Sequence, residues 1–260
     1  PKHIAPMRPP CQDGVLVSNG HLYWGPWMCG CQLSLYGNIG LRPIGDATTE
    51  PRNLETAERE SLIRFPGFDS VRSIAATESD WTTFQASNSH SFRTSASVPN
   101  RIHLAWNVQA IDEELPTAPV AVGDLIFFGD RSGRIRALDN QGNALWTTYT
   151  GGAVFYPPTF ADDRLYAGSA DGRVYALEAA TGRILWIFQV APENLRIPIY
   201  GKLVSRWPVA GGVLVDQGRV YAAAGITHYD GTYVVALDAM NGQPLAINDS
   251  SGRLSEFVDS

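Results

Sequence analysis

The chain is 260 residues long, with 44% hydrophobic and only 18% charged residues, 25 Gly and 17 Pro. That balance suits a turn-rich β protein of one large domain or two ordinary ones, and it is too apolar for disorder. A net charge of −6 with no Lys/Arg-rich run excludes the basic surface that nucleic acid requires, and no apolar stretch reaches the about 18 residues of a membrane span.

Pro1-Lys2-His3 opens the chain without a signal peptide, so the sequence reads as part of a longer polypeptide. Asp13 to Val17 and Gly20 to Trp24 alternate like the first two strands of a blade, and residues 1–53 are expected as an irregular N-terminal blade. This stretch carries Cys11, Cys29 and Cys31. One disulfide from Cys11 to either partner, a set of free thiols, and a metal or redox role all remain open. The Cys-x-Cys spacing lacks the usual four-ligand zinc pattern. A disulfide would place the protein outside the cytoplasm.

Residues 54–105 are expected as a linker, with Glu58 to Phe65, in the stretch from Leu54, as a short helix or connector. Ser79 to Pro99 reads as polar and extended, and introduces the repeats that follow.

From Trp106 onward the sequence repeats. Trp106, Trp146 and Trp186 stand 40 residues apart. Gly133-Arg134-Ile135-Arg136-Ala137-Leu138-Asp139 returns as Gly172-Arg173-Val174-Tyr175-Ala176-Leu177-Glu178, and again as Thr232-Tyr233-Val234-Val235-Ala236-Leu237-Asp238. A period of about 40 residues filled with short β runs is the signature of propeller blades. Pro157-Pro158, Asp162-Asp163, Asp171-Gly172 and Thr181-Gly182 punctuate four strands of one blade. The fold expected is therefore all-β: a propeller of four-stranded antiparallel blades over residues 106–250, forming a partial ring.

A Trp at a fixed place in each blade predicts structural docking between blades for Trp106, Trp146 and Trp186. The Ala-Leu-Asp/Glu element advances 39 residues from Ala137 to Ala176 but 60 to Ala236. The extra chain lies mainly in a loop insertion at 189–207, with a shorter one near 225–230. Arg196, Tyr200, Arg206 and Trp207, with His228 and Asp230, gather cationic and aromatic groups there. They are the candidate contacts to a ligand or partner, although Arg196 and Arg206 could equally pin the loop to blade backbone. The paired carboxylates at Asp112-Glu113-Glu114 and Asp162-Asp163 read as solvated turns. The five histidines show no ligand spacing. No catalytic residue and no metal ligand is assigned.

Asp162 to Trp186, reading DDRLYAGSADGRVYALEAATGRILW, resembles the PQQ-like (quinoprotein alcohol dehydrogenase-like) propeller repeat at nearly every position. Over roughly residues 10–245 the chain is similar to large multi-blade PQQ-like repeat proteins of the planctomycete type. The resemblance implies a propeller and an extracytoplasmic, periplasmic or cell-surface location. In the family's dehydrogenases PQQ lies over a disulfide between adjacent cysteines, beside Ca²⁺. Here the pair is Cys29-Gly30-Cys31, and no residue matches the calcium ligands by motif. The function expected is thus a scaffold that binds a protein or small-molecule ligand at a propeller face, without cofactor. The alternative is a domain of a quinone- or haem-linked oxidoreductase, which would take PQQ with Ca²⁺.

Overall fold

The computed structural model describes residues 15–18, 21–27, 37–41, 52–87, 95–97, 100–109, 111–199, 201–226 and 231–249, the first three of these by backbone alone. Strands β1 (Val15–Ser18), β2 (His21–Trp27) and β3 (Gly37–Leu41) form an antiparallel sheet in that order. Cys11, Cys29 and Cys31, with the question of their pairing, lie outside the described residues, as do Tyr200, His228 and Asp230.

Helix α1 (Leu54–Ser61) starts where the Asn53 side chain accepts the Thr56 N–H at 2.8 Å, and ends where Leu62 turns extended. Its buried face, Ala57 and Ser61, is narrow. The chain then runs straight into a three-residue strand, β4 (Leu62–Arg64).

Three blades follow. The first comprises β5 (Val120–Val122), β6 (Leu125–Gly129), β7 (Arg134–Asp139) and β8 (Ala144–Tyr149). The second comprises β9 (Thr159–Ala161), β10 (Arg164–Gly168), β11 (Arg173–Glu178) and β12 (Ile184–Gln189). A hairpin, β13 (Arg196–Ile199) with β14 (Lys202–Ser205), interrupts the rhythm. The third blade is β15 (Leu214–Asp216), β16 (Arg219–Ala224), β17 (Tyr233–Asp238) and β18 (Pro244–Asn248). Each is an antiparallel meander in sequence order, and β5 and β15 both approach β9, so the innermost strands converge on one axis. All-β blades sharing an axis in an unclosed array make a partial propeller ring.

Burial follows position in that array. One apolar cluster joins the first blade to the second through Phe127, Ile135, Ala137, Leu165 and Leu177. A larger one joins the second to the third through Tyr166, Trp186, Phe188, Val220 and Leu237. The second blade is covered on both faces, so every residue of β10 is buried. The outer strand β8 has no such cover and alternates between exposed and half-buried.

The segment 52–87 is a strap across all three blades. Arg52 reaches Asp249 beside the third blade, its backbone N–H donating to the carboxylate at 2.9 Å, and donates from its guanidinium to the Val190 carbonyl at 2.6 Å. Strand β4 adds to the outer edge of the second blade, pairing Leu62, Ile63 and Arg64 with Phe188, Ile187 and Trp186. Arg183 donates to the carbonyls of Pro66, Gly67 and Ser70. Further on, the Ile74 N–H donates to Asp163 at 2.7 Å, and Trp81 exchanges backbone hydrogen bonds with Ala121 of the first blade.

Candidate functional site

Blade docking shapes the open surfaces, and three indoles carry it. The Trp146 indole N–H donates to the Ala179 carbonyl at 3.1 Å, and Trp186 donates to Ala239 at 3.2 Å. Each ring therefore lies on the turn of the following blade between its third and fourth strands. Gly182 makes this approach possible: its φ is +73° and a Cβ there would stand 2.4 Å from the Trp146 ring. Trp106 repeats the arrangement on the first blade, donating to the Asn140 carbonyl at 2.9 Å above Gly142.

Trp106 and the segment after it cover the free face of the first blade only partly. A cavity of about 400 Å³ remains, walled by Trp106, Ile126, Phe128 and Leu138 and lined also by Glu114 and Asp130. Arg136 lines it as well. This side chain is only 8% exposed and its guanidinium lies over the Phe128 ring, 5.6 Å from the centroid. Its Nε has no hydrogen-bond partner, and among the described residues no carboxylate pairs with it. A guanidinium stays protonated at any working pH, so burial without an anion is costly. An incoming carboxylate would relieve that cost.

The neighbouring Arg134 shows what a satisfied cation looks like in the same strand. Its Nε donates to Asp130 at 2.7 Å and its other nitrogens to Asp112 and the Ile111 carbonyl. Burial disfavours the Asp130 anion, but hydrogen bonds from Ser132 and Arg134 outweigh it and hold the carboxyl below its ordinary range. In the second blade, burial and the adjacent Asp171 push the Tyr175 phenol well up, so it remains a neutral donor to Asp171.

The hairpin reaches the cavity lining through Lys202. Lys202 donates to Glu114 at 2.7 Å and to the Arg131 carbonyl at 3.3 Å. Of the insertion residues, Arg196 is exposed at the start of β13, opposite Ser205. Arg206 stacks over the Trp207 ring at 5.2 Å. Trp207 itself is 5% exposed and meets Tyr233 edge-on at 5.5 Å, so its indole belongs to the core rather than to an open face. The cause is local: Ser205 and Val209 donate backbone hydrogen bonds to the Ala170 and Ser169 carbonyls of the second blade, stitching the end of the insertion down. Sequence reasoning passed over Arg136. The available signal was a cation at the place where the next repeat has Tyr175.

Among the described residues no three His, Cys, Asp or Glu stand where they could share a metal ion. No helix there is long and apolar enough to cross a membrane.

Comparison with known proteins agrees with this architecture. Residues 103–253 match the family described as outer membrane protein assembly factor BamB. Similar curated proteins of that name come from Nitrosomonas eutropha, 26% identical over 53% of this chain and 30% of the relative, and from Shewanella oneidensis, 30% identical over 38% and 25%. The matches thus take in about a third or less of those relatives' length. Among solved structures, the quinohemoprotein alcohol dehydrogenase from Comamonas testosteroni superposes with a TM-score of 0.51 at 20% identity, covering 75% of this chain and 30% of the enzyme. A europium-containing methanol dehydrogenase gives 0.50 at 17%, covering 66% and 32%. At such identities these show the shared propeller fold alone. With more than half of its length matched, the chain belongs to the PQQ-type repeat family described as outer membrane protein assembly factor BamB.

Proposed function

We propose that this chain is a periplasmic propeller module that binds protein during outer-membrane protein assembly. The binding surface is the open side of the first blade: the cavity holding Arg136, with the Arg196–Ser205 hairpin that reaches its lining through Lys202. The observation that carries the reading is Arg136, a buried guanidinium without an anion in an apolar cleft open to a partner. Apolar walls around one unpaired cation suit an acidic side chain flanked by apolar residues. The candidate contact Arg196 adds a further exposed cation on the hairpin. Family membership supports the setting.

The test compares the chain with Arg136→Gln and with a variant whose residues 196–205 are replaced by a short Gly linker, each immobilised against detergent-solubilised outer membranes. Assembly proteins recovered with the unaltered chain are expected to be lost with both variants, while circular dichroism shows both still folded. Equal recovery with all three, or none with the unaltered chain, would overturn the proposal.

A further inference from the structure

The outer strands of the three blades are treated differently by the rest of the chain. Strand β12 is capped by β4, and β18, which opens on Pro244, is packed by α1. Among the described residues strand β8 has nothing on its outer side: it is the last strand of its sheet. Its sequence, Ala-Leu-Trp-Thr-Thr-Tyr, contains no charge and no Pro. Leu145 is 50% exposed and Tyr149 is 66% exposed. Exposed edges are ordinarily blunted by Lys, Pro, an inward charge or a covering element, because their free N–H and C=O groups are a template for another strand.

The covered edge supplies the geometry. Phe65 donates its N–H to the Leu185 carbonyl at 2.9 Å, and β4 continues opposite Trp186, Ile187 and Phe188. In an antiparallel ladder the outward-facing residues alternate, so Leu185 and Ile187 present their backbone groups to β4. Trp146 pairs with Ala137 in β7 as Trp186 pairs with Ala176 in β11, with the same register shift one residue later. Leu145, Thr147 and Tyr149 therefore turn their backbone groups outward, and among the described residues nothing takes them.

We infer that β8 is a docking edge for an extended strand of a partner protein, which adds antiparallel to it as β4 adds to β12. Main-chain hydrogen bonds at Leu145, Thr147 and Tyr149 supply the pairing. The side chains of these three residues share one face, so a guest residue opposite Thr147 lies between Leu145 and Tyr149 and should be aliphatic or aromatic. The partner segment is thus uncharged and alternating, of the kind a β-rich chain exposes before it folds. This rests on the protein-binding reading and deepens it by naming a binding mode; it uses the backbone edge of the same blade whose face carries the Arg136 cleft, since Thr147 pairs with Arg136 across β7 and β8.

The test titrates the full chain with the heptapeptide acetyl-Thr-Ile-Thr-Val-Thr-Ile-Thr-amide and follows amide hydrogen exchange by NMR. The Leu145, Thr147 and Tyr149 amides should slow about tenfold or more. A peptide N-methylated at its three central residues should have no effect. Thr147→Pro, which removes an outward N–H at a position where an edge strand tolerates Pro, should abolish the slowing. Arg136→Gln should leave it intact, which separates this edge from the cleft. The inference fails if the peptide slows no amide of β8, if the methylated peptide acts equally, or if the Pro variant responds as the unaltered chain does. It also fails if light scattering shows the chain self-associating through β8, since a second copy is then the occupant.

Discussion

The first and second blades are built from nearly the same repeat, yet one is closed and the other open. The second has blades on both faces, β4 on its outer edge and the strap beneath it. The first has a blade on one face, Trp106 and a cavity on the other, and an edge at β8 that no described residue covers. Gly182 and Trp146 are as close-fitting as Gly242 and Trp186, so docking chemistry does not distinguish them. What differs is what the chain brings to each surface. The closed blade holds the array together, and the open one has surface to offer a partner.

The largest effect should come from emptying the closed side. Trp186 is fully buried, and Trp186→Ala should cost about 3–5 kcal/mol in urea denaturation. Trp146 is half-buried, so Trp146→Ala should cost visibly less. Equal losses would break the contrast. Gly182→Ala forces a side chain into a positive φ and against an indole, and should cost about 2–3 kcal/mol by the same measurement.

A pH series sharpens the comparison next. Burial raises the cost of the Glu178 anion, but Thr181, the Arg72 N–H and Arg183 more than compensate and hold it below its ordinary range. Asp130 is shifted the same way. For carboxyls lowered on folding, the stabilisation is complete above the unfolded range near about pH 4 and is lost as pH falls through the lower folded values. Stability should therefore drop by about 1–2 kcal/mol between pH 5 and pH 3, and Glu178→Gln should flatten that limb. An unchanged acid limb in the variant would contradict the assignment. The smallest effect is expected at Arg136. Arg136→Met removes an unpaired buried cation and should be neutral or stabilising by about 1 kcal/mol, whereas Arg134→Met strands Asp130 and should destabilise. A large loss at Arg136 would mean the free chain already satisfies it.

Much of the closed blade was legible in the sequence, because turns and apolar alternation repeat at a fixed spacing and every local preference agrees with the fold. The strap was not. Strand β4 is three residues long and pairs with residues more than a hundred positions away, so its own sequence carries no sign of its partner. The insertion stood out by its length, but length does not say which residues turn outward. Trp207 was drawn into the core by hydrogen bonds from flanking Ser205 and Val209. Arg136 broke the repeat visibly, yet a single cation in a strand is uninformative until its neighbours are known to hold no anion.

Amide hydrogen exchange in the free protein tests the contrast most directly. The Ile187 N–H in β12 is covered by β4, and its counterpart at Thr147 in β8 faces outward with no described residue over it. Thr147 should exchange about a hundredfold faster than Ile187 or more. Comparable rates at the two positions would show that the first blade is as closed as the second, and would contradict the account.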